Sequence, residues 1–193
     1  MTKAEPVDLH PAVDAARTSD ATPHGPVMLS CHCATHSVEV TLDSSVFHNH
    51  LCGCSKCWKP DGALFAQTAV VPRDALNITA NGDKLEVVDE TQAIVRHACR
   101  ACGTHVYGRV ENRDHHFYGI DFVRPELAAA PQPVPEFAGF VSSIIECGAS
   151  PSKMEAVRAT LSRKGIPFYD AFSPELMDII AWHKVKIGKI SRS

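Results

Sequence analysis

Seven of the eight cysteines in this 193-residue chain stand in three short clusters, Cys31-His-Cys33, Cys52-Gly-Cys54-Ser-Lys-Cys57 and Cys99-Arg-Ala-Cys102. Sulfurs this close along a chain converge locally, so the fold must form around whatever they bind. Zinc favours thiolate ligands in tetrahedral geometry, and a C-x-x-C knuckle lets two sulfurs meet one ion while backbone amides turn toward them. Gly103, just after the last knuckle, eases that turn. A redox pair would account for one C-x-x-C and leave five further cysteines in two equally tight groups unexplained. Metal binding accounts for all seven.

Seven ligands fall one short of two four-coordinate sites. The simplest partition joins Cys31 and Cys33 to Cys99 and Cys102 as a closed four-thiolate site, which is structural because zinc keeps no position for chemistry. Cys52, Cys54 and Cys57 then hold a second ion from one loop with a fourth position open, as in catalytic zinc sites. A competing partition pairs Cys54 and Cys57 with Cys99 and Cys102 as a two-knuckle ribbon and leaves Cys31, Cys33 and Cys52 spare. His50, two residues before Cys52, would close the second site if it ligated; otherwise His48 and His50 are surface or supporting residues. Three thiolates on Zn(II) leave a net charge of −1, which makes the ion a poor activator of water. Such an ion suits a fourth thiol held as thiolate, and the expected reaction is attack of that sulfur on a small electrophile.

The rest of the chain permits one ordinary domain. A 45% hydrophobic and 21% charged composition supports a packed core, and a net charge of −3 supplies no broad attraction to nucleic acid or an anionic membrane. The first twenty residues carry acids and prolines without an apolar run, and no later stretch reaches the length of a membrane span. Cytoplasmic residence is the expectation, and clustered cysteines in a reducing compartment read as ligands rather than disulfides.

Three regions follow. Residues 1–26 form an irregular arm rich in Pro, Ala, Asp and Thr; 27–150 form a zinc-binding β domain; 151–193 form a helical extension packed on the same domain. Strands are expected at 27–33, 37–42, 63–70, 75–80, 84–89, 93–98, 104–110 and 116–122, with Asn81-Gly82-Asp83 as a hairpin turn in a meander. Residues 125–137 read as a proline-punctuated linker. Residues 137–147 fit either a short helix or a buried strand. Ser150-Pro151 and Ser173-Pro174 open two helices, with Met154, Val157 and Leu161 on one inner face and Leu176, Ile179 and Ile180 on the other.

The segments HNHLCGCSKCWKPDGALF (48–65), HACRACGTHVYGR (97–109) and ENRDHHFYGIDFV (111–123) resemble the glutathione-dependent formaldehyde-activating enzymes, the S-(hydroxymethyl)glutathione synthase family. The likeness runs from HPAVD (10–14) through FVSSIIECG (140–148) to YDAFSPELMD (169–178). It implies a mainly β, zinc-ribbon-related β-tent with short C-terminal helices and two Zn2+ per chain. Of these, one is structural, at Cys31, Cys33, Cys99 and Cys102, and one catalytic, at Cys52, Cys54 and Cys57. It further implies glutathione as the thiol and formaldehyde as the electrophile; it leaves the oligomeric state open. Cys147 departs from the pattern, since a small residue such as Ser is expected there, and it reads as a buried small hydrophobe.

Glutathione brings two carboxylates and an ammonium, so cationic side chains are expected near the second cluster. Lys56, Lys59 and Arg109 are the nearest in sequence, and Trp58 follows Cys57 directly. The ordinary alternatives are solvated charges and an aromatic that packs the loop. Arg113-Asp114-His115-His116 reads as a polar rim, an acid/base group or a plain turn.

Overall fold

Turn residues cut the middle of the chain into short β-rich runs, and strands form in them. The computed structural model describes residues 5–15, 18–19 and 26–189. Its strands are β1 (Thr18–Ser19), β2 (Val27–Ser30), β3 (Glu39–Leu42), β4 (Phe47–Cys52), β5 (Ala66–Pro72), β6 (Leu76–Ala80), β7 (Leu85–Val87), β8 (Val95–Cys99), β9 (His105–Arg109), β10 (Ile120–Val123), β11 (Gln132–Pro133) and β12 (Phe137–Gly139). Three α-helices complete them, α1 (Pro11–Asp14), α2 (Met154–Arg163) and α3 (Pro174–Lys186). The chain is mainly β with short C-terminal helices, as expected.

Seven strands form the main sheet in the order β12-β4-β5-β10-β9-β8-β7, and β2-β3-β6 form a smaller one. The meander expected from the sequence is the run β7 to β10, antiparallel throughout. The hairpin expected at Asn81 is not formed. Asn81 does adopt a left-handed conformation (φ 52°), but it passes the chain from β6 in the small sheet to β7 in the large one. Strand β4 was not expected, and β12 takes up only the first three residues of the run 137–147 that fitted either a helix or a strand. In β4 the run Phe-His-Asn-His-Leu-Cys lacks alternation, and its register shifts between Phe47 and His50, where His48 has φ 50°. Residues 137–147 divide between both readings: β12 pairs in parallel with β4, and Val141–Cys147 continues as a 3-10 helix.

Side-chain alternation turns Leu51 of β4, Phe65 just before β5, and Ala69 and Val71 of β5 to one face of the main sheet, where they enter two neighbouring cores. From β5, Ala69 and Val71 join Leu29, Val40 and Leu42 of the small sheet in one core. Leu51 and Phe65 join Leu9, Val13, Val157 and Leu161 in a second, so the beginning of the chain and α2 share an interior. Each such fully buried aliphatic contributes roughly 1.5–3 kcal/mol. The one-turn α1 is held by its own side chains: Asp14 Oδ2 accepts from the amides of Leu9 (2.6 Å) and His10 (2.8 Å), and Lys164 reaches Asp14 at 3.3 Å. Most of the arm that follows, Thr18 and Ser19 apart, lies outside the described residues.

Helix α2 packs by Met154, Val157 and Leu161, and α3 by Leu176 and Ile180. Ile179 does not face inward: it is 54% exposed, because a helix that touches the sheet along a single i, i+4 stripe turns the intervening position away.

Candidate metal centres and the adjoining cleft

Packing of the small sheet against the main one brings the first cysteine cluster to the third. Cys31 and Cys33 follow β2, Cys99 ends β8, and Cys102 lies in the turn into β9; their four sulfurs lie within 4.8 Å of one another. Gly103 takes φ 70° in that turn and its amide donates to the Cys99 carbonyl at 2.8 Å. The Val38 amide points at Cys31 Sγ (3.1 Å), and Cys33 and Cys99 sulfurs are 3.7 Å apart. Protons are shared unequally here. The side chain of Cys102, burial, and the thiols of Cys31 and Cys99 push Cys33 up to about 12. Burial acts to raise Cys102, but hydrogen bonds from Thr104 and from Cys33 and Cys99 hold it down to about 6.

Cys52, Cys54 and Cys57 form a separate group, again with all sulfurs within 4.8 Å, and the ribbon of Cys54 and Cys57 with Cys99 and Cys102 does not form. Close contacts with Cys54 and Cys57, together with burial, raise the Cys52 thiol well above its ordinary value, while Cys52 and Cys54 hold Cys57 well below it. Sulfurs that cannot all ionise side by side, yet converge on one point, suit a divalent cation that replaces their protons. Both groups fit zinc on that ground. Among the described residues no histidine joins either group at this spacing.

The loop that carries the second group is tightly constrained. Cys52 is fixed by β4, paired to Ala66 on one side and to Gly139 on the other. The Gly53 amide donates to the Gly139 carbonyl at 2.9 Å, and a Cβ at Gly53 would lie 2.2 Å from the Phe140 carbonyl oxygen, so only glycine fits. Lys59 Nζ donates to the carbonyls of Cys54 (2.7 Å) and Cys57 (3.3 Å).

Beside these three thiols opens a cavity of about 290 Å³. Ile94, Phe122, Phe140 and Phe172 give it an apolar lining, and Lys56, Arg96, His105 and Arg124 a polar one. His50, Cys52 and Thr68 project into it together because they lie on one face of the paired strands β4 and β5. Arg124 is 6% exposed and donates through Nη1 to Thr68 Oγ1 (2.6 Å) and the Gln67 carbonyl (3.2 Å), and among the described residues no carboxylate pairs with it. His105 is lowered to about 4, first by burial and then by Arg124 and Arg96, so its imidazole is neutral at pH 7, and its buried Nδ1 has no partner.

Of the four side chains expected around a substrate, Lys56 lines the cavity; the other three do other work. Trp58 stacks on His105 (centroids 5.8 Å apart) with His32 at 6.0 Å, filling space between the two cysteine groups. Lys59 clasps the loop as described. Arg109 is turned away into an ion pair with the buried Asp121, donating through Nε to Oδ1 at 2.8 Å. His50 is buried, stacked on Phe137 at 4.8 Å, with Nδ1 2.7 Å from the His48 carbonyl. Residues 112–118 form a turn in which His115 stacks on His116 (4.2 Å), and His116 lines a separate apolar depression. Cys147 is exposed rather than buried, its sulfur 3.4 Å from Lys59 Nζ, because the 3-10 helix ends over the loop instead of inside the core. The sequence reading missed Arg96, Arg124 and His105. Arg96 and His105 sit on strands correctly expected, and period-2 alternation would have put Arg96 on one face with Ala98; nothing local marks Arg124.

The family model described as "Glutathione-dependent formaldehyde-activating enzyme" matches residues 27–141. A protein of Podospora anserina is 53% identical over 95% of this chain and 86% of its own length, and one of Phaeosphaeria nodorum is 51% identical over 95% and 97%. A third, from Fusarium vanettenii, is 50% identical over 94% and 98%. All three carry the name "Putative glutathione-dependent formaldehyde-activating enzyme". A solved Rhodobacter sphaeroides protein is similar at a TM-score of 0.43 and 16% identity, covering 74% of this chain and 99% of that one. By family model and by relatives across nearly its whole length, the chain belongs to the glutathione-dependent formaldehyde-activating enzyme family.

Proposed function

We propose that the protein joins glutathione to formaldehyde, forming S-(hydroxymethyl)glutathione as a carbon–sulfur lyase acting in the synthetic direction. The observation that carries this reading is a group of three thiols, with no fourth cysteine or histidine among the described residues, opening onto a cavity lined by the buried Arg124, the half-buried Arg96 and the exposed Lys56. Cys31, Cys33, Cys99 and Cys102 would hold a structural zinc, and Cys52, Cys54 and Cys57 a catalytic one. Bound there, zinc supplies a thiophilic Lewis acid that favours deprotonated sulfur.

In the reaction the glutathione S–H bond breaks and a sulfur–carbon bond forms. The carbonyl π pair moves to oxygen, which takes up one proton for the one lost at sulfur. Arg124, buried and without a carboxylate partner, offsets the negative charge that gathers around the thiolates. Neutral His105 is a hydrogen-bond donor for the charge developing on the aldehyde oxygen, in a site where apolar side chains strengthen the interaction. Phe122, Phe140 and Phe172 limit water around the reacting atoms.

The test compares the rate of adduct formation, followed by NMR, with the spontaneous rate. The zinc-loaded protein should exceed that rate, Cys54→Ser should return it to the spontaneous value, and the exposed Glu155→Gln should leave it raised. An unchanged rate with tight glutathione binding would make the protein a carrier of glutathione or its adduct instead.

A further inference from the structure

The cavity beside the thiols continues into a second space of about 200 Å³, lined by Lys56, Val88, Asp89, Gln92, Arg96 and His105. Three of these residues, Lys56, Arg96 and His105, line both spaces, so the two adjoin at these side chains and lie within reach of one extended ligand. The size argues for it. Small-ligand sites enclose roughly 300–1,000 Å³; the first cavity alone is at the lower end of that range, and a one-carbon aldehyde needs far less.

The two spaces differ in chemistry. The first is largely apolar beyond its cysteines and cations, whereas the second pairs charges of both signs. Lys56 and Arg96 stand on one side of the ledger, and no carboxylate forms an ion pair with either among the described residues. On the other is Asp89, whose carboxylate is fixed in place by Thr91 N (2.9 Å), Thr91 Oγ1 (2.6 Å) and Gln92 Nε2 (3.0 Å). A carboxylate has about four acceptor positions, so a place remains for one more donor. Opposed cationic and anionic groups lining one small space suit a ligand that carries both charges on neighbouring atoms. Two cations against one anion draw a carboxylate and disfavour a lone ammonium, and Asp89 adds attraction only for a ligand that also brings an ammonium.

We infer that the annex formed by Lys56, Asp89 and Arg96 binds an α-amino-acid head group, and so selects a thiol whose far end carries an ammonium and a carboxylate on one carbon. This rests on the proposed use of a thiol at Cys52, Cys54 and Cys57. For glutathione it assigns the γ-glutamyl end to the annex, with the carboxylate on Arg96 and Lys56 and the ammonium on Asp89. The glycyl end, which bears a carboxylate only, leaves Asp89 without a donor and is the weaker occupant.

Calorimetric titration of the reduced, zinc-loaded protein tests this with glutathione and with glutaryl-cysteinyl-glycine, which keeps both carboxylates and lacks the amino group. The wild-type protein should bind glutathione about ten-fold more tightly, the worth of one charge-assisted hydrogen bond. Asp89→Asn, at an exposed position, should abolish that preference by weakening glutathione alone. Arg96→Gln should weaken both ligands and keep the preference. Equal wild-type affinity for the two thiols, or a preference that survives Asp89→Asn, would overturn the assignment while leaving glutathione as the ligand. Failure of glutathione to bind at all would overturn the functional reading and the annex with it.

Discussion

Gly53 shows how narrowly single residues set the second cysteine group. Its missing Cβ leaves room for a backbone carbonyl, and a backbone atom cannot move aside as a side chain can. Gly53→Ala is therefore expected to cost about 1–3 kcal/mol and to lower zinc content from the proposed two ions per chain toward one; thermal unfolding and metal analysis check both. Arg124 has the opposite character, being a buried charge that the protein keeps despite its desolvation. Arg124→Gln retains a donor for Thr68 but removes the charge, and glutathione affinity of the zinc-loaded protein should fall about ten-fold or more, read by calorimetry. At this scale much was legible: all seven clustered cysteines stood out before any geometry, and the structure gathers them into a group of four and a group of three. Arg124 was not, because its meaning comes from strands β5 and β10 lying side by side.

Elements carry the next set of constraints. Helix α2 is tied to the second core by Leu161, fully buried, and Leu161→Ala should cost about 2–5 kcal/mol in denaturant unfolding. Histidines sit in or against the sheet at His50, His97, His105 and in the turn at His115 and His116, and burial lowers all five below 6.5. Since the unfolded chain then binds more protons than the folded one, their contribution is complete above pH 6.5. It is lost as pH falls from 6.5 through the lowered values, about 4 for His105 and His116. The melting temperature should drop between pH 7 and 5, and His116→Gln, far from the cysteines, should make that drop smaller. The strands of the meander were readable from alternating β-rich runs, but β4 was not, and at β12 the sequence left helix and strand both open. A bulged strand rich in histidine and a three-residue strand bonded in parallel have no local pattern to read.

For the whole molecule the two proposed metal sites are unequal. The four-cysteine group lies where the small sheet meets β8 and β9, so metal bound there joins two sheets, and its binding energy is folding energy. The three-cysteine group hangs from one loop that β4, β12 and Lys59 already hold. Cys99→Ser should thus lower the melting temperature by more than about 10 °C or prevent folding, whereas Cys54→Ser should change it by only a few degrees. Metal analysis should give about one zinc per chain for Cys54→Ser. A chelator of graded strength should remove the loop-held ion first, with the fold intact by circular dichroism.

What the amino-acid order determined by itself is local: which sulfurs form knuckles, where β-rich runs begin and end, which glycine turns the chain at Cys102. Such features depend on spacing of a few residues, and spacing is what a sequence displays. The tertiary structure alone decided which knuckle joins which, since Cys31 and Cys99 meet only where the small sheet packs against the main one. It also decided that Arg109 is spent on Asp121 while Arg96 and Arg124 face the thiols, and that Asp89 stands across from Lys56. Charges act through space, and residues tens of positions apart become neighbours only when the strands that carry them are laid edge to edge.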